Sequence, residues 1–228
     1  DESRSGGDIV KGYLNALAQG DAATALSYST DQPGSKDLLS DEILKRQIAR
    51  WPITNIRILD DSTHGFGFGY VNVAAKFGET ESDVTLSLKK SGGEWKLEHA
   101  AIKVDTLAAG LDNEALNTLT FFDRSVGSSP VYVFPGFIAT SSSNPNLSVK
   151  MKKPFLLDAL ASASGSYFND VEFTLSDSGQ SEVMSAVSAA LAGCARSTGF
   201  RRRAVRNTLS TPMLLTDRLH GVRRTRAR

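Results

Sequence analysis

The sequence predicts an α+β protein of two helix-backed antiparallel-sheet domains followed by an arginine-rich tail. Three observations carry that expectation. Apolar residues recur at helical spacing up to residue 51 and at alternating spacing from residue 53 onward. Short alternating segments then gather ahead of one long helical stretch, so helices and strands are segregated rather than interleaved as in a parallel βαβ protein. Residues 200–228 hold nine Arg, no Lys and the single acid Asp217, whereas residues 1–199 carry 17 basic and 24 acidic side chains.

The first helix is signalled by Ile9, Val10, Tyr13, Leu14 and Leu17 at i, i+3 and i+4 spacing, with Asp8 placed to cap its start and Gly20 to end it. Asp21 opens a shorter helix through Ala22, Ala23, Ala25 and Leu26, which Pro33-Gly34 terminates. Ser40 caps a third, because Asp41 and Glu42 place negative charge in its first turn and Ile43, Leu44 and Ile48 supply an apolar stripe; Pro52 stops it. From Ile53 the period is two. Ile56 and Ile58 mark one strand, and Phe66, Phe68 and Tyr70 followed by Val71, Val73 and Phe77 mark another whose phase slips at Tyr70-Val71, which predicts a bulge there. Val84, Leu86 and Leu88 form a third strand, joined through Ser91-Gly92-Gly93 to a fourth with Trp95 and Leu97, ahead of Ile102 and Val104.

Residues 8–105 are therefore expected as one domain, 106–117 as a connector and 118–199 as a second domain. The second has strands at Leu119 to Val126, Val131 to Phe134, Leu147 to Lys152 and Val171 to Leu175, and a helix from Ser181 to Cys194 with Val183, Ala186, Val187, Ala190 and Leu191 on one side. The Ser-, Asn- and Pro-rich segment Ala139 to Asn146 reads as an exposed loop.

At 40% hydrophobic and 22% charged, the chain has enough apolar surface to offset the entropy of ordering it. The longest uncharged stretch, Ser125 to Val149, contains three Pro and two Gly and nothing like the roughly 20 apolar residues that span a bilayer. Numbering from Asp1 rather than Met suggests a leader or anchor removed ahead of this segment, so any membrane attachment is expected through a part absent from this chain. The single cysteine, Cys194, has no internal partner to form a disulfide with.

No catalytic motif has a specific spacing. Gly65-Phe66-Gly67-Phe68-Gly69 looks superficially like a phosphate loop, but β alternation follows it instead of a helix. The two body histidines, His64 and His99, with Asp60 and Asp61, could in principle form an acid–base pair or a metal site; their spacing is generic, and His64 in a loop with His99 on a solvent-facing strand position is the simpler expectation. No cofactor and no metal is expected. Asn146-Leu147-Ser148 matches a glycosylation sequon by composition alone, and Lys150, Lys152 and Lys153 read as a solvated strand face rather than a nucleic-acid groove.

Residues 9–104, with Gly20-Asp21-Ala22-Ala23 after a Tyr-Leu helix and Gly93-Glu94-Trp95-Lys96-Leu97 near the end of the strands, resemble the cystatin-like or nuclear-transport-factor-two-like α+β cone. The second half, with Val133-Phe134-Pro135-Gly136, Leu175 to Gly179 and Cys194-Ala195-Arg196-Ser197-Thr198, resembles a module of exported, membrane-anchored actinobacterial proteins. That resemblance implies tandem domains outside the cytoplasm and a non-catalytic interaction or ligand-holding role in the cell envelope, with an envelope protein or small ligand as partner. Two other classes stay open: a small-molecule lyase or isomerase using the cone pocket with His99 and Asp60 or Asp61, and nucleic-acid binding through the basic tail, which is the less expected partner.

Relatives of that module would continue after Cys194 to Thr198 into a Pro-rich stretch with Gly-Cys-Pro, whose cysteine could pair with the first; here Phe200-Arg201-Arg202-Arg203 follows. Consecutive CGN arginine codons regroup into CCG proline codons, and the codons around Arg203-Ala204-Val205-Arg206 can regroup into Gly-Cys-Pro. Residues 200–228 are thus expected to be a frame-shifted tail that was never selected to pack.

Overall fold

The computed structural model describes residues 4–105, 114–126, 130–162, 166–167 and 171–201, and the expectations for residues 202–228 lie outside the described residues. It contains helices α1 (Gly6–Gln19), α2 (Ala22–Ser27) and α3 (Asp41–Arg50), then strands β1 (Ile53–Asp61), β2 (Phe68–Phe77), β3 (Thr80–Ser91), β4 (Glu94–Leu97) and β5 (Ile102–Asp105). After a 3₁₀ turn (Leu116–Thr118) come β6 (Leu119–Phe121), β7 (Arg124–Ser125), β8 (Val131–Val133), β9 (Thr140–Ser142), β10 (Leu147–Met151), α4 (Leu157–Ala161), β11 (Ser166–Tyr167), β12 (Val171–Leu175) and α5 (Asp177–Arg201). The fold is α+β.

Local chemistry accounts for the first three helices. Ser5, not Asp8, is the N-cap of α1: its hydroxyl accepts from the Asp8 N–H, and the Asp8 carboxylate accepts from the Ser5 N–H, which makes a reciprocal capping box. Gly20 closes the helix at φ 76°, a left-handed conformation that glycine adopts without a Cβ penalty. Asp21 and Ser40 cap α2 and α3 as the sequence predicts. The buried faces Ile9, Val10, Tyr13, Leu14 and Leu17 of α1 and Ile43 and Leu44 of α3 enter the core, and α1 lies against β1, β2 and β4.

Strands β1 to β4 form an antiparallel meander in sequence order. The irregularity lies in β1 rather than at Tyr70-Val71: pairing with β2 shifts between Thr54 and Arg57 and between Ile58 and Asp60, and Asn55 has φ 53°. The β2–β3 register runs without interruption from Phe68↔Lys89 to Phe77↔Thr80. The slip in residue type has a different cause. Val71, Val73, Ala75 and Phe77 face the core, while Phe68 and Tyr70 point to the other face and are 71% and 57% exposed.

The structure divides elsewhere than at residues 106–117. One compact unit spans Asp1–Gly179 and a second Gln180–Arg228. Within the first, β5 pairs antiparallel with β8 (Ile102↔Val133) and parallel with β11 (Val104↔Ser166), so a strand expected to end one domain is hydrogen-bonded to strands expected in the other. Phe134, Leu156, Leu157 and Leu160 belong to the same hydrophobic cluster as Tyr13, Leu44 and Phe77. Buried polar bonds tie the parts further: the Gln47 side-chain amide donates to the Phe134 carbonyl at 2.9 Å, and the Leu157 N–H donates to the Ser82 hydroxyl at 3.2 Å. The expected strand at 119–126 breaks into β6 and β7 around Phe122 and Asp123, both at positive φ (49° and 64°), and the expected loop 139–146 contributes β9, which pairs with β6. β10 pairs antiparallel with β12.

In the second unit α5 continues past Cys194 to Arg201, and Cys194 is exposed on it. The apolar residues Val183, Val187 and Leu191 of this helix are 45%, 47% and 64% exposed. No helix among the described residues is long and apolar enough to cross a membrane.

Candidate functional site

The four residues singled out by sequence do not converge. His64 is exposed in the segment between β1 and β2. Asp60 is exposed, accepts from the Ser62 hydroxyl at 2.9 Å and stands opposite Asn72 in the sheet. Asp61 is structural: its carboxylate accepts from the Gly7 N–H at 2.7 Å and from the backbone and hydroxyl of Thr63, so it anchors the positive end of α1. His99 sits beyond β4 with Nδ1 2.8 Å from the Asp31 carboxylate, not that of Asp60 or Asp61, and both side chains are partly exposed. Among the described residues no group of three or more His, Cys, Asp or Glu could hold a metal ion. The Gly65 to Gly69 segment leads into β2, and no helix N-terminus follows it to receive a phosphate.

Asp61 supplies a measurable pH effect. Burial opposes its ionisation, but the hydrogen bonds from the Thr63 hydroxyl, the Gly7 and Thr63 N–H groups and Ser5 outweigh burial and hold the carboxyl below the usual carboxylate range. A depressed folded value gives stability that is complete above the unfolded value, about 3.9, and is lost as the pH falls through the folded one. Asp61→Ala is expected to lower stability by about 1 kcal/mol at pH 7, the usual cost of losing a helix cap, with the deficit narrowing once the pH falls below the ordinary carboxylate value of about 3.9. Urea midpoints of both proteins at pH 7 and below that value measure it; an equal deficit at both would remove the ionic role.

Two of the cavities are lined by described residues throughout. One, about 390 Å³ and open to solvent, lies between α2 and α3 over Ala22, Leu26 and Leu39. Its polar groups are already engaged with the protein: Lys36 donates to Gln32 at 3.3 Å, and Asp41 accepts from the Ala22 N–H at 2.8 Å. The other is an apolar cleft of about 190 Å³ lined by Trp51, Gly136, Phe137, Ile138, Met151, Pro154 and Phe155.

The cleft follows from local rules acting at distant positions. Pro52 cannot continue α3, so Trp51 leaves the helix with φ −127° and ψ 86° and packs on the Gly78 turn, where a Cβ would come within 3.1 Å of its indole. Gly136, at φ 140°, lets its N–H donate to the Phe155 carbonyl at 2.8 Å and brings the 133–138 segment against residues 154–156. Trp51 and Phe137 meet edge to face at 5.5 Å, and Phe137 meets Phe122 at 6.3 Å. Arg50 lies over the Phe137 ring at 5.1 Å and Arg46 over Phe122 at 5.0 Å. Behind this group Gln47 is buried, its Nε2 bound to Phe134 and its Oε1 without a hydrogen-bond partner.

No protein-family model matches the sequence, and comparison with curated proteins gives no match. Among solved structures, one described as an NTF2-like transpeptidase from Campylobacter jejuni aligns at a TM-score of 0.30 and 19% identity, over 40% of this chain and 94% of that one. A likeness of this size says nothing of activity, and the α+β assignment rests on the elements described above.

Proposed function

We propose that this chain is a non-catalytic, ligand-holding module of the bacterial cell envelope, situated outside the cytoplasm. The observation that carries the ligand-holding part is the aromatic-walled cleft at Trp51, Phe137 and Phe155. Concave, mainly apolar sites with a few polar groups at their edge are the usual form of small-molecule sites. The envelope placement draws on the sequence resemblance of residues 133–198 to exported modules. A second reading, a small-molecule lyase or isomerase, draws on the His99–Asp31 pair, a carboxylate–imidazole arrangement suited to proton transfer. It is the weaker reading because His99 and Asp31 line neither of these two cavities, and because Tyr13, Phe77 and Phe134 are fully buried in the core.

Trp51 makes the first reading measurable. Small one-ring compounds are expected to change the indole emission of the full chain saturably, and Trp51→Phe is expected to abolish that response while Trp95, buried under the meander, keeps its own emission. Failure of a one-ring panel to perturb Trp51 at millimolar concentration would sink the ligand-holding reading.

A further inference from the structure

We infer that the cleft is selective for a small apolar acid, a single ring or short chain carrying one negative charge, and that Arg50 reads the charge. The inference rests on the ligand-holding reading and goes beyond it in naming the ligand class and the residue that discriminates.

Size sets the first limit. An engineered cavity of about 150 Å³ takes up benzene, so a cleft of about 190 Å³ has room for one ring and little more. The walls set the second. Trp51, Phe137, Ile138, Met151, Pro154 and Phe155 offer ring faces and aliphatic carbon, which would reward the apolar part of a ligand and give its charge no partner inside. The charged group therefore has to stand at the rim.

Cations stand on or next to the rings and chain segments that form the cleft, and two of them have no carboxylate in salt-bridge range among the described residues. Arg46 and Arg50 lie one helical turn apart on α3, each stacked on a phenylalanine. Arg46 also lies 3.8 Å from Asp123 in the turn between β6 and β7. Arg50 has no carboxylate within salt-bridge distance among the described residues, although it stacks on Phe137, which itself walls the cleft. The other charges come from two further elements. Between β10 and α4, Lys153 is held by Asp158 at 2.7 Å, and Lys152, next to the cleft residue Met151, is exposed with no carboxylate in salt-bridge range among the described residues. In the turn between β2 and β3 that receives Trp51, Glu79 faces Lys76 at 3.8 Å. Asp123, Glu79 and Asp158 thus each face a cation of their own, leaving Arg50 and Lys152 to meet an incoming anion.

Stacking on Phe137 ties the Arg50 guanidinium to a ring that walls the cleft, so little side-chain freedom remains to be lost when its planar fork meets a carboxylate. Phenylacetate and 2-phenylethanol have the same ring and nearly the same length and differ in charge, so comparing them isolates the rim from the walls.

The experiment titrates the full chain with each compound, following Trp51 emission, with Trp51→Phe as the blank. Phenylacetate is expected to bind about 5- to 10-fold more tightly than 2-phenylethanol, within the range of a partly exposed, pre-positioned ion pair. Arg50→Gln is expected to bring that ratio close to one without changing the affinity for the alcohol, and Arg50→Lys to retain part of it. Raising salt from 50 to 500 mM should reduce the ratio in the unmodified chain. Arg50 is exposed on the last turn of α3, so its replacement is not expected to disturb folding, which circular dichroism of each variant checks. Equal binding of acid and alcohol in the unmodified chain, or a preference that survives Arg50→Gln, overturns the inference while leaving the ligand-holding reading standing. Failure of both compounds to bind overturns the two together.

Discussion

Phe134→Ala is expected to lower the stability of the whole first unit by about 3–5 kcal/mol, the range for emptying a fully buried aromatic site. Phe134 is 0% exposed and lies in the same cluster as Tyr13, Leu44 and Phe77. Its carbonyl receives the Gln47 side-chain amide, so the alanine backbone stays anchored while the ring's space is left to collapse or stay empty. Against a typical total of about 5–15 kcal/mol this is a large fraction. The informative feature is where the loss appears. Trp95 lies in the meander, on the far side of residues 106–117 from Phe134, and it reports the part expected from the sequence to fold alone. With a shared core, the urea midpoint seen by Trp95 emission moves together with the midpoint seen by far-ultraviolet circular dichroism. A Trp95 midpoint that stays in place while the other moves would mean two separately folding domains. Phe134→Leu, which keeps most of the volume, should recover most of the loss.

The shared core is the part of the fold that local sequence does not encode. The caps at Asp21, Ser40 and Gly20, the helical stripes of α1 and α3 and the period-two meander are all encoded within a few residues of one another. They could be read without a partner. The partner of β5 could not, because Ile102 and Val104 have the same alternation whether they pair with β4 or, as observed, with β8 and β11. The turn at Phe122-Asp123 lacks the glycine that normally marks positive φ, and it is Phe122 that stacks between Phe137 and Arg46. Long-range packing there outweighs local preference. The stripe on α5 had the right spacing for a buried face and is exposed, since spacing specifies which residues share a side and not whether anything covers it.

The candidate site shows the same division. Asp60, Asp61, His64 and His99 attracted attention through residue type, yet His99 meets Asp31 from 68 positions away and Asp61 serves the N-terminus of α1. The cleft draws on Trp51, residues 136–138 and residues 151–155, and apolar residues at those separations have no spacing signature. Two local signals did point to it: Pro52, which forces Trp51 off the helix, and the glycine of Val133-Phe134-Pro135-Gly136, which allows φ 140°. Gln47 also interrupts the apolar stripe of α3 at a position where a leucine would be ordinary, and its amide bonds the helix to Phe134 in the second half of the fold.

Tyr13→Phe is expected to cost about 1–2 kcal/mol at pH 7 and to lose that disadvantage as the solution becomes alkaline. The Tyr13 hydroxyl is fully buried and donates to the Ala100 carbonyl at 2.6 Å, so phenylalanine keeps the packing and leaves that carbonyl without its donor. Burial pushes the phenol well above its ordinary value, because the phenolate would lose its hydration inside the core. A raised folded value means that the contribution of this group is complete below the unfolded value near 10 and is lost as the pH rises beyond it. The unfolded chain then gains from ionising and the folded chain does not, which removes about 1.4 kcal/mol by pH 11 from the protein with tyrosine and nothing from the variant. All other ionisable groups are common to both proteins, so the difference between their urea midpoints at pH 7, 10 and 11 isolates Tyr13. Parallel curves would show that the hydroxyl ionises in the folded state at its ordinary value, and so reaches water. That result would reopen the core face of the sheet as a place for proton-transfer chemistry. A narrowing gap keeps Tyr13 as a neutral donor within a filled interior and leaves ligand binding to the cleft at Trp51.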